Sequence, residues 1–383
     1  MRSIALVALA LASVLAAPAV ADEVAVREWA FVYVMSYDNN LERCGPIILD
    51  GLKKGTADTD VAVTVLADFT DEEGLIRYTL QGGAGSGVRL ETENSASEEV
   101  LAEYLDWALE TVPARHYALV FLDHGGDLDD MCIDENPGVE GAKNWLSAKL
   151  VGPVIRDWRK NVEANPKAKG KVDLLFLQQC GRGSIDNLYN FRESAAFIMA
   201  SQTTVGAPNT YYAATVNWIS GHLEATGLEL ARQIMESDEH YTNYVCVDGA
   251  ELAGVPKKLD PVIQELLAAG DLSLPEDPAL CFGGQGRGAE TNYDLLDWLG
   301  GLYSASAVPE SKQASWKRFR TWVEDDLIQA HTRRPEQARR TAKWTGLALF
   351  VPAARRVRTK YEDYPLYQDS RLDELWARLY PPG

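Results

Sequence analysis

The sequence is poor in the residue groupings that mark metal, nucleotide or nucleic-acid proteins. It carries 5 cysteines and 5 histidines in 383 residues. No two cysteines have the C-x-x-C spacing of a structural zinc site. His116, His124, His222, His240 and His331 are scattered, so the usual tetrahedral ligand sets have no support. Cations are outnumbered, with 37 Lys and Arg against 56 Asp and Glu for a net charge of −19. That argues against nucleic acid as a partner, because phosphate-backbone binding needs clustered positive charge. Gly284-Gln-Gly-Arg-Gly288 looks like a phosphate loop, yet no clear strand runs into it and no Lys-Ser/Thr follows. Long apolar runs are missing apart from one, Ile4 to Val20, which lies behind Arg2 and is closed by Ala19-Val20-Ala21. A charged start, an apolar middle and a small-residue cleavage site describe a secretory signal over residues 1–21, not a membrane span. The mature chain is expected to be soluble and either secreted or periplasmic.

At 46% hydrophobic and 24% charged, the remainder has the composition of an ordinary globular protein rather than a disordered tail. Trp29 to Tyr37, Val61 to Asp68, Tyr117 to Leu122 and Val172 to Leu177 are unbroken apolar runs that suit strands buried on both faces. Ala196 to Ser201 predicts a further short strand after a helical stretch at Ile185 to Arg192. Between these runs, Leu41 to Lys53 can supply a helix and Leu75 to Thr92 a hairpin. Ser95-Ala-Ser-Glu98 reads as a capping box opening a helix with Val100, Leu101, Tyr104, Leu105, Ala108 and Val112 at helical spacing. The alternation predicts an α/β fold with a mostly parallel sheet covered by helices. From about Leu230 the pattern is less regular, with helices expected over Tyr293 to Leu302 and Trp316 to Ala330. We read residues 22–229 as a core and 230–383 as a C-terminal extension packing on it. Lys312 to Lys360 is locally basic, which suits either a solvated helical face or electrostatic docking on the acidic body.

Two of the buried strands end in reactive side chains. One runs into Asp123-His124-Gly125-Gly126 and the other into Gln178-Gln179-Cys180-Gly181-Arg182-Gly183. The carboxyl ends of parallel strands are where open α/β sheets place their sites. If the two strands are neighbours, an imidazole and a thiol face one crevice. A free thiol is mostly protonated at neutral pH, and an adjacent imidazole supplies the activation it lacks. Cys180 is then the candidate nucleophile and His124 the general acid/base. The backbone amides of Gly125 and Cys180 are the natural donors to a tetrahedral oxyanion. Gly181 and Gly183 let the chain turn sharply after the nucleophile. An activated pair of this kind is expected to react with alkylating agents below the pH of ordinary thiols.

The chain resembles the clostripain family of cysteine peptidases, within the caspase-like group. The likeness lies in Trp29…Tyr33…Tyr37-Asp38-Asn39-Asn40-Leu41-Glu42, the His124-Gly125 turn, the Cys180 strand and Met199-Ala-Ser201. It extends to Tyr293-Asp294-Leu295-Leu296 and Gly346-Leu-Ala-Leu-Phe-Val-Pro352. The resemblance implies a caspase-like sheet, His124 and Cys180 as a catalytic dyad, and endopeptidase action on protein or peptide substrates. Two positions depart from the pattern of members that cut after Arg or Lys. Gln178 stands two residues before Cys180 where an acid is usual, and Gln202 follows Ser201 where an acid is common. A carboxamide offers neutral hydrogen bonds and no charge to a basic substrate side chain, so a basic preference is not expected.

The chemistry needs no cofactor. Clostripain-like enzymes are often calcium-responsive, and the loop carrying Asp127, Asp129, Asp130, Asp134 and Glu135 is dense in hard oxygen ligands, although its spacing is not that of an EF-hand. The same linker is where the resemblance places self-cleavage, with Lys143, Lys149, Arg156 and Arg159 as candidates if the pocket accepts a basic residue. With Cys180 kept reduced, Cys44, Cys132, Cys246 and Cys281 allow three pairings, of which a bridge between Cys246 and Cys281 in the loop-rich region is favoured. Two rivals to the peptidase are a catalytically inactive binding protein on the same fold and a metal-dependent hydrolase.

Overall fold

The structure is a computed structural model that describes residues 24–70, 73–138, 141–142, 144–240, 243–283, 290–332 and 343–381. The signal segment, Lys143 and Gly284 to Gly288 lie outside the described residues. The strands in chain order are β1 (Arg27–Tyr37), β2 (Ala62–Phe69), β3 (Ile76–Gln81), β4 (Ala84–Arg89), β5 (Ala114–Leu122), β6 (Asp130–Ile133) and β7 (Trp145–Ser147). They continue with β8 (Lys171–Gln178), β9 (Phe197–Ser201), β10 (Tyr244–Asp248), β11 (Leu280–Gly283), β12 (Thr291–Asp294), β13 (Ile328–His331) and β14 (Ala348–Phe350). The described residues build one nine-stranded sheet in the order β13-β10-β9-β8-β5-β1-β2-β3-β4. Its five middle strands are parallel, and the β3-β4 hairpin and the β10-β13 pair close the two edges antiparallel. The expected α/β class and mostly parallel sheet are present. Two strands of this sheet, β10 and β13, come from beyond residue 229.

The apolar runs alternate between two cores, because successive side chains of a strand point to opposite faces. Along β1, Trp29, Phe31, Tyr33, Met35 and Tyr37 pack with Ile48, Leu52, Val216 and Ile234 from the helices Gly45–Gly55, Tyr212–Ser220 and Gly227–Ser237. Ala30, Val32 and Val34 face Leu101, Tyr104, Ile155 and Leu259 from the helices Glu98–Thr111, Ala148–Ala164 and Val255–Ala268. Both faces are covered, which is why these strands read as continuous hydrophobic runs.

Several expectations need correction. The Glu98–Thr111 helix is capped by Ser97, whose side chain accepts from the Val100 amide, and Ser95 instead bonds Asp134. Ser95 and Ser97 compete for the cap, and the buried carboxylate takes the first of them. Tyr293 belongs to β12, and the helix follows at Leu295–Ala305. The helix expected over Trp316 to Ala330 ends at Trp322; one wide turn follows, and Ile328–His331 becomes the edge strand β13. Pairing with β10 satisfies that backbone and overrides the helical periodicity. All five cysteines are free thiols, so the Cys246 to Cys281 bridge is not formed. Cys246 lies inside β10 opposite Met199 and Ala330, whereas the Cys281 sulfur on β11 accepts from Gln202. Lys149, Arg156 and Arg159 fall within the Ala148–Ala164 helix, a backbone that a protease cannot accept without unwinding it. From the basic segment, Lys360 docks on Asp127 at 2.7 Å and on Glu290 at 2.8 Å.

Candidate active site

The register of β5 against β8 brings the two reactive ends level. Leu122 pairs with Gln178, so His124 and Cys180 each lie two residues past a matched pair at the carboxyl edge of the sheet. Gly125 forms an isolated bridge to Met131 that folds the His124 turn back on itself. A Cβ on Gly125 would lie 2.2 Å from the Cys180 carbonyl oxygen, so only glycine permits this approach of the two turns. Gly181 has φ +67°, and the Phe282 ring packs where its Cβ would project. The sharp turn expected after Cys180 is therefore present and has a steric cause.

Arg182 stitches the two turns together. Its side chain is 1% exposed. Nε donates to the Cys180 carbonyl at 3.2 Å, Nη1 to those of Leu128 and Asp130, and Nη2 to those of Gly126 and Asp127. A planar fork with five N–H groups is the one side chain that can meet five carbonyls from two loops. Gln179 adds a further tie, donating through Nε2 to the His124 carbonyl at 3.1 Å and to the Cys132 sulfur. Neither residue was assigned a role from sequence, since an arginine inside Gly-x-Gly carries no periodicity that would signal burial.

The imidazole is oriented by Asn40, from the segment that follows β1. His124 Nε2 lies 2.9 Å from Asn40 Oδ1. That oxygen can only accept, so with the amide oriented this way the neutral ring carries its proton on Nε2 and leaves Nδ1 to receive one. The Cys180 sulfur is half-buried, donating to the Val205 carbonyl at 3.3 Å and accepting from the Val205 amide at 3.4 Å. Among the described residues, the Gly125 and Cys180 amides donate to no main-chain acceptor. Burial lowers the His124 pKa against the pull of Glu135, and burial raises the Cys180 thiol.

Both shifts favour a neutral thiol and imidazole over a thiolate–imidazolium pair in the substrate-free protein. With the thiol pKa raised, the thiolate fraction at a given pH is smaller than for an ordinary cysteine, whose pKa is about 8.5. Iodoacetamide alkylation of Cys180 in the substrate-free protein should accelerate only as pH climbs past that value. A rate plateau extending below pH 7 would show a preformed thiolate–imidazolium pair instead.

The two other candidate residues are locked in buried networks. Gln178 is 3% exposed; its amide donates to Asn209 and Tyr212, and its oxygen accepts from Tyr211. Asn209 passes the chain on to Asp238 at 2.6 Å and to the Tyr244 hydroxyl at 2.9 Å. Gln202 is fully buried, and its Nε2 bonds Cys281 and Asp294. Asp294 also accepts from Thr345 and caps the following helix.

The acidic loop does not converge. Asp127 pairs with Lys360, and Asp129 accepts from the Ser147 hydroxyl and the Lys149 amide. Only Asp134 turns inward.

Comparison with known proteins follows from this geometry. The profile of the clostripain family, Peptidase_C11, matches residues 32–277. The chain belongs to that family. Membership makes it a cysteine endopeptidase, as its sequence implied. No curated protein matches this clostripain-family chain in sequence. It is similar in fold to an inactive zymogen C11 protease from Parabacteroides distasonis, with TM-score 0.62 and 17% identity over 90% of this chain and 98% of that one. It is also similar to a secreted C11 cysteine protease from Bacteroides thetaiotaomicron bound to an irreversible peptide inhibitor. There the TM-score is 0.63 and the identity 13%, over 90% of this chain and 99% of that one. No helix of the described residues is long and apolar enough to cross a membrane.

Proposed function

We propose that this clostripain-family member is an exported endopeptidase working through an acyl-enzyme, with Cys180 as nucleophile and His124 as general acid/base. The observation that carries the reading is the level register of Leu122 with Gln178, held by the five carbonyl bonds of Arg182, which sets the His124 turn against the Cys180 turn. In the reaction, His124 Nδ1 takes the thiol proton as sulfur bonds the scissile carbonyl carbon. The free Gly125 and Cys180 amides receive the charge that develops on oxygen. The imidazolium returns the proton to the leaving nitrogen as the C–N bond breaks, and water then hydrolyses the thioester with His124 again as base. The Sγ contacts with Val205 belong to the resting state; catalytic hydrogen bonds commonly tighten only once substrate is bound. The apolar run Ile4 to Val20 supports export.

Substrate preference follows from the engaged carboxamides. Gln178 and Gln202 present no charge, and both polar atoms of Gln178 and the Nε2 of Gln202 are taken up by neighbours. Profiling against a mixed peptide library should show Arg or Lys favoured over neutral residues at the cleaved position by less than about tenfold, since neither carboxamide offers a charge-assisted partner. A preference for basic residues far above that would place another carboxylate in the pocket.

A further inference from the structure

His124 and Gly125 form the base of a short hairpin whose tip is held by residues from far along the chain. The Cys132 amide donates to the His124 carbonyl at 3.1 Å, the Gly126 amide to that of Asp130 at 3.2 Å, and Gly125 bridges to Met131 between them. Asp127 and Leu128 lie at the tip. Leu128 is 2% exposed, so both of its backbone polar groups need protein partners. Its carbonyl accepts from Arg182 Nη1 at 3.1 Å, Asn187 Nδ2 at 3.0 Å and the Tyr364 hydroxyl at 3.3 Å. Its amide donates to Glu290 Oε2 at 3.2 Å. The Asp127–Leu128 peptide is thus gripped at both ends, since Arg182 Nη2 donates to the Asp127 carbonyl at 2.9 Å. A planar unit held at one end can swivel; one held at both cannot.

Glu290 is itself tied down. It immediately precedes β12, and its side chain is 14% exposed. Oε1 accepts from Lys360 at 2.8 Å, at the end of the helix Arg355–Lys360, and Oε2 accepts from the Tyr361 hydroxyl as well as from Leu128. The same ammonium group reaches Asp127 at 2.7 Å, so one cation ties Glu290 to the hairpin tip. Burial works against the charge on Lys360, but the hydrogen bonds and charges of Asp127 and Glu290 outweigh it and raise its pKa.

We propose that Glu290 is a positioning residue for peptide hydrolysis: by fixing the Leu128 amide it holds the hairpin tip, and so aims the Gly125 amide at its base toward the developing oxyanion. The cross-strand bonds leave the hairpin little freedom to bend, so a displaced tip turns its base. Glu290 acts through this frame and touches neither Cys180 nor His124. The inference rests on the dyad reading and gives the region beyond residue 229 a part in the reaction.

The test is steady-state kinetics of Glu290→Ala in the full mature chain, at urea-free conditions where circular dichroism shows it folded. kcat should fall about tenfold or more, part of the hundredfold or greater loss that removing an oxyanion donor outright causes. KM should stay within about twofold, because the lost alignment matters only once charge develops on oxygen. Inhibition by a peptide aldehyde, whose adduct with Cys180 places an oxygen at the same amides, should weaken in parallel with kcat. Glu290→Gln keeps an oxygen acceptor for Leu128 and should recover kcat to within about threefold of wild type. If Glu290→Ala does not fold, Glu290→Asp takes its place: it keeps the charge for Lys360 but draws the carboxylate back from Leu128, and should lose kcat with KM unchanged. Wild-type kcat in the variant used overturns the proposal, as does a loss that appears in KM alone or a Glu290→Gln no better than Glu290→Ala. A wild-type protein that hydrolyses no peptide overturns the dyad reading and this inference with it. An active wild type whose Glu290 variants keep full kcat and aldehyde affinity overturns this inference alone.

Discussion

Cys180→Ala and His124→Ala each abolish peptide hydrolysis, with kcat falling by about 10⁴-fold or more, and the double variant is little worse than either single one. Nucleophile and base act as one unit, so losing either removes the covalent route. The residual rate is what the Gly125 and Cys180 amides and substrate binding provide alone. Neither substitution should unfold the chain, because the Cys180 sulfur touches only Val205 and the His124 ring only Asn40 among the hydrogen-bond partners described. Steady-state kinetics on variants with unchanged circular dichroism check this. Near-normal hydrolysis by Cys180→Ala would mean that another group attacks the substrate.

Arg182→Met should cost about 3–5 kcal/mol of stability, the range for removing one partner of a buried charged network. The guanidinium serves the carbonyls of Gly126, Asp127, Leu128, Asp130 and Cys180, and methionine leaves all of these without that donor. Arg182→Lys should recover little, since an ammonium group is a compact charge with three donors and cannot span two loops as a planar fork does. Because the two turns carry His124 and Cys180, turnover should fall further than the folded fraction accounts for. Urea denaturation gives the first quantity, and kcat measured well below the unfolding midpoint gives the second. Wild-type values for Arg182→Lys in both would show that the bridging geometry is dispensable.

What could be read in the sequence was whatever one strand or one turn determines by itself. Trp29 to Tyr37 and Val172 to Leu177 are apolar on both faces because helices cover both, and that burial is written in consecutive residues. His124 and Cys180 stand out because each ends such a run and precedes a glycine. Properties that depend on register or on competition between partners were hidden. Arg182 looks like a loop cation until the His124 turn is laid beside it. Asp38, Asp68 and Asp134 meet only when β1 and β2 are in register and the chain beyond β6 folds back, so of the acidic stretch after His124 sequence could not single out Asp134. Asn40 belongs to the opening motif of the family pattern, and its hydrogen bond to His124 spans 84 residues that no local signal connects. Local periodicity also misled at Ile328 to His331, where an unfilled sheet edge outweighed helical spacing, and loop-rich text suggested a disulfide between cysteines that have other neighbours.

The most direct test of the central claim is to trap the covalent intermediate. The mature protein is mixed with an activated ester of a short peptide, quenched in acid within the first turnovers, and digested for mass spectrometry. The account predicts a single acyl group on Cys180, formed in a burst and absent from Cys180→Ala. Steady hydrolysis with no adduct on Cys180, or an adduct on Cys132 or Cys281 that turns over in its place, would contradict it.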